Sequence, residues 1–137
     1  MQVINLLVAM SLHGNYAKVL ESAIELADKY KSNIILLLVQ NAPIELSNMA
    51  DNNDKVIETK IINRLNDAAN QSQIRSAQVE TVTSFAKNEI SSYVKKNEVD
   101  LIAMGTHNNH GIALLGGSAS NYVSHHVKCN IFLVHVD

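Results

Sequence analysis

The chain has one cysteine, one proline and no tryptophan in 137 residues, and only 4% of it is aromatic. With Cys129 alone, no disulfide can form within the chain, so burial and hydrogen bonding must hold the fold. An excess of charge of one sign is also missing: 11 Lys and Arg stand against 13 Asp and Glu, and the lysines are scattered instead of striped. Such a chain offers no electrostatic footprint to a polyanion, which predicts no nucleic acid and no anionic membrane as partner. Long apolar runs are absent. The longest, residues 34–39, is far below the roughly 20 residues that span a bilayer. The opening MQVINLLVAM has no basic stretch of the signal-peptide kind, and the expected location is therefore cytoplasmic.

What the chain does have is apolar content: 47% hydrophobic against 18% charged residues fits one domain over 1–137 with a single core. Residues 3–10 are apolar almost throughout except Asn5, as in a strand buried on both faces of a parallel sheet. Over 15–30, Val19, Leu20, Ala23, Ile24 and Ala27 recur at three and four, and Lys29 and Lys31 close the segment, so an amphipathic helix is expected. Residues 33–40 form the most apolar strand, expected at the centre of the sheet. Residues 41–53 are polar, hold Pro43 and lack a sustained period, which predicts a surface loop. Ile57, Ile61, Leu65 and Ala68 mark a second helix, 78–83 a strand nearer the edge, and Ala86, Ile90 and Val94 a third helix ended by Lys95, Lys96 and Asn97. The alternation predicts a doubly wound α/β domain with its ligand site outside the carboxyl ends of the strands, where strand order reverses.

The stretch 99–136 concentrates the chemistry. A buried strand over 101–104 ends on Gly105, a polar loop leads to Gly116-Gly117-Ser118, helical spacing follows (Ala119, Tyr122, Val123, Val127), and residues 131–136 close as a strand. A Gly-Gly-Ser segment opening a helix can present free main-chain N–H groups to a phosphate. Several chemistries lack their anchors. No acidic residue follows the first strand to hold magnesium, the first being Glu21 inside a helix, and there is neither a nucleophile elbow, nor a Walker lysine after the glycines, nor a dinucleotide glycine fingerprint. Ser118, though near His107 and His110 in sequence, reads as an N-cap instead of a nucleophile.

The segment GTHNNHGIALLGGSASNYVSHHVKCNIFLV resembles the closing signature of the universal stress protein family, roughly G-x2-G-x9-G-[ST] followed by a helix and a strand. NLLVAMSLHGNYAKVLESAIELADKYKSNIILLLV is similar to that family's opening strand, helix and second strand, so the likeness covers nearly the whole chain. It implies a five-stranded parallel sheet of order 3-2-1-4-5 with helices on both faces, Rossmann-like and akin to the adenine-nucleotide alpha hydrolases, a role in stress response, and in one branch a site for ATP or AMP. Carried over by that resemblance, Val39 would meet adenine through its main chain and Ala9 to Ser11 would line base and ribose. Met104, Gly105 and His107 would form the first phosphate-side turn, and Gly117, Ser118, Ala119 and Ser120 would cradle phosphate. Ser11 stands where the nucleotide-binding branch has aspartate, Asn108 where the motif has its second glycine, and the spacing from Asn108 to Gly117 is one residue short. The function expected is a non-catalytic binding or regulatory module with a degenerate nucleotide site, the alternative being an ATP- or AMP-binding member with slow or no hydrolysis.

Three further expectations concern histidine, cysteine and assembly. His13 follows the first strand and His107 and His110 the fourth, so the three could converge, although loop histidines are mostly solvated and no metal site is assigned. His125 and His126 are adjacent on a helix and diverge. Cys129 reads as a packed residue, not a reactive thiol. The last strand, 130–136, is uncharged and rich in β-formers, with none of the lysines or prolines that blunt an exposed edge, which predicts a homodimer joined through it.

Overall fold

The computed structural model describes residues 2–11, 15–39, 44–71, 74–82, 87–105 and 127–135. Its strands are β1 (Asn5–Ser11), β2 (Asn33–Val39), β3 (Ser76–Val82), β4 (Leu101–Gly105) and β5 (Asn130–Val134), and its helices are α1 (Tyr16–Tyr30), α2 (Ile44–Gln71) and α3 (Lys87–Lys96). All strand pairings are parallel and the order is β3-β2-β1-β4-β5, as expected. The middle of the sheet is β1. β2, the more apolar strand, lies one place out, between β1 and β3.

Period-two alternation along the strands sorts side chains to two faces. Leu6, Val8 and Met10 of β1 join Ile34, Leu36 and Leu38 of β2 and Leu101 and Ala103 of β4 beneath Val19, Leu20, Ala23, Ile24 and Ala27 of α1 and Ile61, Leu65 and Ala68 of α2. Leu7, Ala9, Ile35, Leu37, Ile102 and Met104 form the other face, against Val94 of α3 with Val99 and Val127. Strands covered on both faces leave no solvated side, which is why β1, β2 and β4 are continuous apolar runs.

The expected loop at 41–53 is corrected over 44–53, because α2 begins at Ile44 and runs 28 residues; residues 41–43 lie outside the described ones. Helix propagation explains the difference. Once the amphipathic stretch from Ile57 to Ala68 is nucleated and packed, each residue added before it costs little even where it contributes no apolar face. α1 starts on Asn15, whose side chain accepts from the Lys18 N–H at 3.4 Å, and ends on Lys31 in the left-handed region (φ 55°). There the Ser32 N–H returns to the Ala27 carbonyl at 2.9 Å, closing the last turn. α1 and α2 are joined by a two-pronged pair, Arg64 Nε and Nη2 donating to Glu21 Oε2 and Oε1 at 2.6 and 2.7 Å.

Asn5, the polar exception in β1, belongs to a hydrogen-bonded row along the amino ends of the strands. Ser76 Oγ donates to Asn33 Oδ1 at 2.8 Å, Asn33 Nδ2 to Asn5 Oδ1 at 2.9 Å, and Asn5 Nδ2 to the Glu98 carbonyl at 3.1 Å. Asp100 Oδ2 accepts from the main-chain N–H of Ile4 at 2.9 Å and of Asn5 at 2.8 Å. Strands β3, β2, β1 and the entry to β4 are thereby pinned in register at one edge, which fixes what faces what at the other. A slip by one residue would send every side chain to the wrong face.

Candidate ligand site at the carboxyl edge of the sheet

The chain winds outward from β1 through β2 to β3, then returns to the other flank of β1 as β4, so the order reverses between β1 and β4. A crevice forms at such a point because the connections leave the two strand ends in opposite directions. In register, Ala9 lies beside Met104 and beside Leu37, and Ser11 lies beside Val39, which lies beside Val82. Ala9, Ser11, Val39, Met104 and Gly105, all expected at the site, thus end three adjacent strands on one edge.

Ala9 and Met104 are each 1% exposed and pack within the core layer beneath α3. Gly105 is a buried strand end. His107, Gly117, Ser118, Ala119 and Ser120 lie outside the described residues, as do His13, His110, His125 and His126. His135 is described and exposed just past β5. Among the described residues no group of three or more His, Cys, Asp or Glu is placed to hold a metal ion. The last two residues of each strand, from Met10-Ser11 to Leu133-Val134, include no Asp, Glu, Lys or Arg.

Two titratable groups near the sheet are held in their neutral forms. The Tyr93 hydroxyl of α3 donates to Glu80 Oε2 of β3 at 2.6 Å, and burial followed by this bond raises its titration, so it stays a phenol. Burial first, and the Asp100 carboxylate second, push the half-buried Cys129 thiol up to about 11, which leaves almost no thiolate near pH 7. Cys129 is a packing residue, as its place at the start of the last strand led us to expect.

The row through Asn5, Asn33, Ser76 and Asp100 was not anticipated, although its signal was present: one amide inside an otherwise apolar strand. The Tyr93–Glu80 link had no sequence signal, since the two residues meet only when α3 crosses behind the sheet.

The universal stress protein family profile matches residues 4–135. The chain belongs to the universal stress protein family. Universal stress protein A homolog 1 of Coxiella burnetii is 23% identical over 136 residues, 95% of this chain and 94% of the relative. The universal stress protein UspA from Lactobacillus plantarum superposes with a TM-score of 0.70 at 23% identity, covering 98% of this chain and 99% of that one. A universal stress protein solved in complex with cAMP superposes with a TM-score of 0.67 at 14% identity over the full length of both chains. These structural likenesses carry the Rossmann-like α/β fold. Among the described residues no helix is long and apolar enough to cross a membrane.

Proposed function

We propose that this universal stress protein is a non-catalytic regulatory module that binds an adenine mononucleotide, AMP or cAMP, at the carboxyl edge between β1 and β4. The observation that carries the reading is the end of β1: Ser11 stands beside Val39 in register, with no carboxylate in the last two residues of β1, β2 or β4. Metal-assisted phosphoryl transfer needs a carboxylate near the phosphates to hold magnesium, whereas an adenylate held by main-chain N–H groups and apolar walls does not. Support for adenylate as the ligand comes from the same-fold neighbour solved with cAMP. Gly105 ending β4, and Gly117, Ser118, Ala119 and Ser120 beyond it, supply the residue types of a main-chain phosphate cradle, with Val39 against the base.

The test is a nucleotide titration paired with a phosphate-release assay. AMP and cAMP are expected to bind weakly, with Kd on the order of 0.1–1 mM. ATP with magnesium is expected to release no phosphate above the buffer rate. Magnesium-dependent turnover of ATP would overturn the reading.

The same module is proposed to act as a homodimer joined at β5. This strand occupies the sheet edge, with Phe132 40% and Leu133 46% exposed on opposite faces, and antiparallel pairing with a second copy would satisfy its open N–H and C=O groups.

A further inference from the structure

The sheet ends in two edge strands of different chemistry. β3 exposes Ser76, Gln78 and Glu80 on one face, polar side chains of the kind that discourages pairing with another chain. β5 exposes Phe132 and Leu133 and carries no charged side chain from Asn130 to Val134. Its two faces are distinct. Val134 belongs to the core layer under α1 and α2, so Phe132 lies on that face, whereas Ile131 and Cys129 pack against the layer under α3, the face that Leu133 shares.

One bond sets the phase of the β5 main chain: the Asn130 N–H donates to the Asp100 carbonyl at 3.2 Å. Main-chain groups along a strand point to either side in alternation. Asn130, Phe132 and Val134 therefore face β4, and Ile131 and Leu133 turn their N–H and C=O groups to the open edge. A second copy that continues the sheet by antiparallel pairing is related by a two-fold axis perpendicular to it, which keeps each face on its own side. Such an axis passes through a residue position. Centred on Phe132, it sets Ile131 opposite Leu133 of the second copy, so every outward group of β5 is paired within the strand. Centred on Leu133 or on Ile131, it sets one outward residue opposite His135 or Cys129, outside the strand. The side chains agree with the main chain. The first register matches Ile131 with Leu133 and Phe132 with Phe132, whereas the others set Ile131 against His135 or Phe132 against Asn130.

We propose that two copies pair through β5 in this one register, with Phe132 on the two-fold axis and Ile131 of each copy opposite Leu133 of the other. The result is a continuous sheet with five strands from each copy. The inference rests on the reading of β5 as the homodimer edge and deepens it. Because the strands of the two copies run in opposite directions, the two carboxyl edges lie at opposite ends of the shared sheet.

In that register the two Phe132 positions form a closely spaced, non-hydrogen-bonded pair with Cα atoms about 4.5 Å apart, within the range that a disulfide bridges. The test uses cysteine variants on a Cys129→Ser background. Each is sized by light scattering, then oxidised under native conditions by dissolved oxygen with a copper catalyst and read on a non-reducing gel. Phe132→Cys is expected to form covalent dimer about tenfold faster than Ile131→Cys or Leu133→Cys alone. Ile131→Cys and Leu133→Cys combined in one chain should cross-link again. If Phe132→Cys does not dimerise, the combined variant decides, because this register alone links it while leaving each single variant unlinked. A dimer in which Leu133→Cys or Ile131→Cys alone links fastest overturns the register and leaves the β5 dimer standing. A dimer that no variant links, or a native monomer, overturns both.

Discussion

Asp100 accepts two main-chain N–H groups at the start of β1 while its own N–H donates to the Asn5 carbonyl at 3.0 Å, so one side chain closes the polar row that sets strand register. Asp100→Ala leaves both donors without that acceptor and should cost about 1–3 kcal/mol in urea unfolding, with Asp100→Asn costing less because an amide oxygen still accepts. An unchanged midpoint would show that the row contributes nothing. Lys31 sits at φ 55°, where a Cβ is unfavourable and glycine is not. Lys31→Gly is therefore expected to stabilise by about 0.5–1 kcal/mol, read as a higher urea midpoint at the same slope. Cys129 offers a pH test with a definite sign. Its raised titration means that the folded chain keeps the proton where an ordinary thiol has lost it, so native alkylation by iodoacetamide at pH 8 should run about a hundredfold slower than that of the unfolded chain. The native rate should climb only as pH approaches 11, and a native rate equal to the unfolded one would contradict the burial argument.

Strand β5 tests how elements combine. An edge strand with Phe132 and Leu133 exposed is expected to pair with its own copy, so light scattering at micromolar concentration should give twice the 15.0 kDa chain mass. Leu133→Lys places a charge on the exposed edge and Leu133→Pro deletes a ladder donor; both should lower the mass toward the monomer. A native monomer across that range would defeat the dimer. Strands and helices with a clear apolar period were legible from the sequence. Val19 to Ala27 gave the buried stripe of α1, and the unbroken runs in β1, β2 and β4 foretold a sheet covered on both faces. The first three turns of α2 were not legible, because the short apolar set Leu46, Met49 and Ala50 is not sustained through Asn52, Asn53 and Asp54. At the candidate site, sequence placed Ala9, Ser11, Val39, Met104 and Gly105 on one edge, since strand ends follow from topology. That Ala9 and Met104 are packed into the core layer beneath α3 was not legible, because burial of a strand end depends on which helix crosses it.

Across the whole molecule, an amino edge pinned by Asn5, Asn33, Ser76 and Asp100 stands opposite a carboxyl edge whose strand ends carry no fixed charge. The first fixes register; the second is where we propose that an adenylate binds without metal. This division of labour predicts that binding depends on main-chain access beyond β4 and not on an acidic residue. Gly117 is the sharpest place to interrogate it, because a β-branched side chain would intrude where phosphate and backbone must approach. The most direct measurement is calorimetric titration of wild-type protein and Gly117→Val with AMP, with and without magnesium. Saturable binding by wild type, unchanged by magnesium and lost in Gly117→Val, is the expected result. Absence of AMP binding to wild-type protein, or binding that Gly117→Val leaves intact, would contradict it.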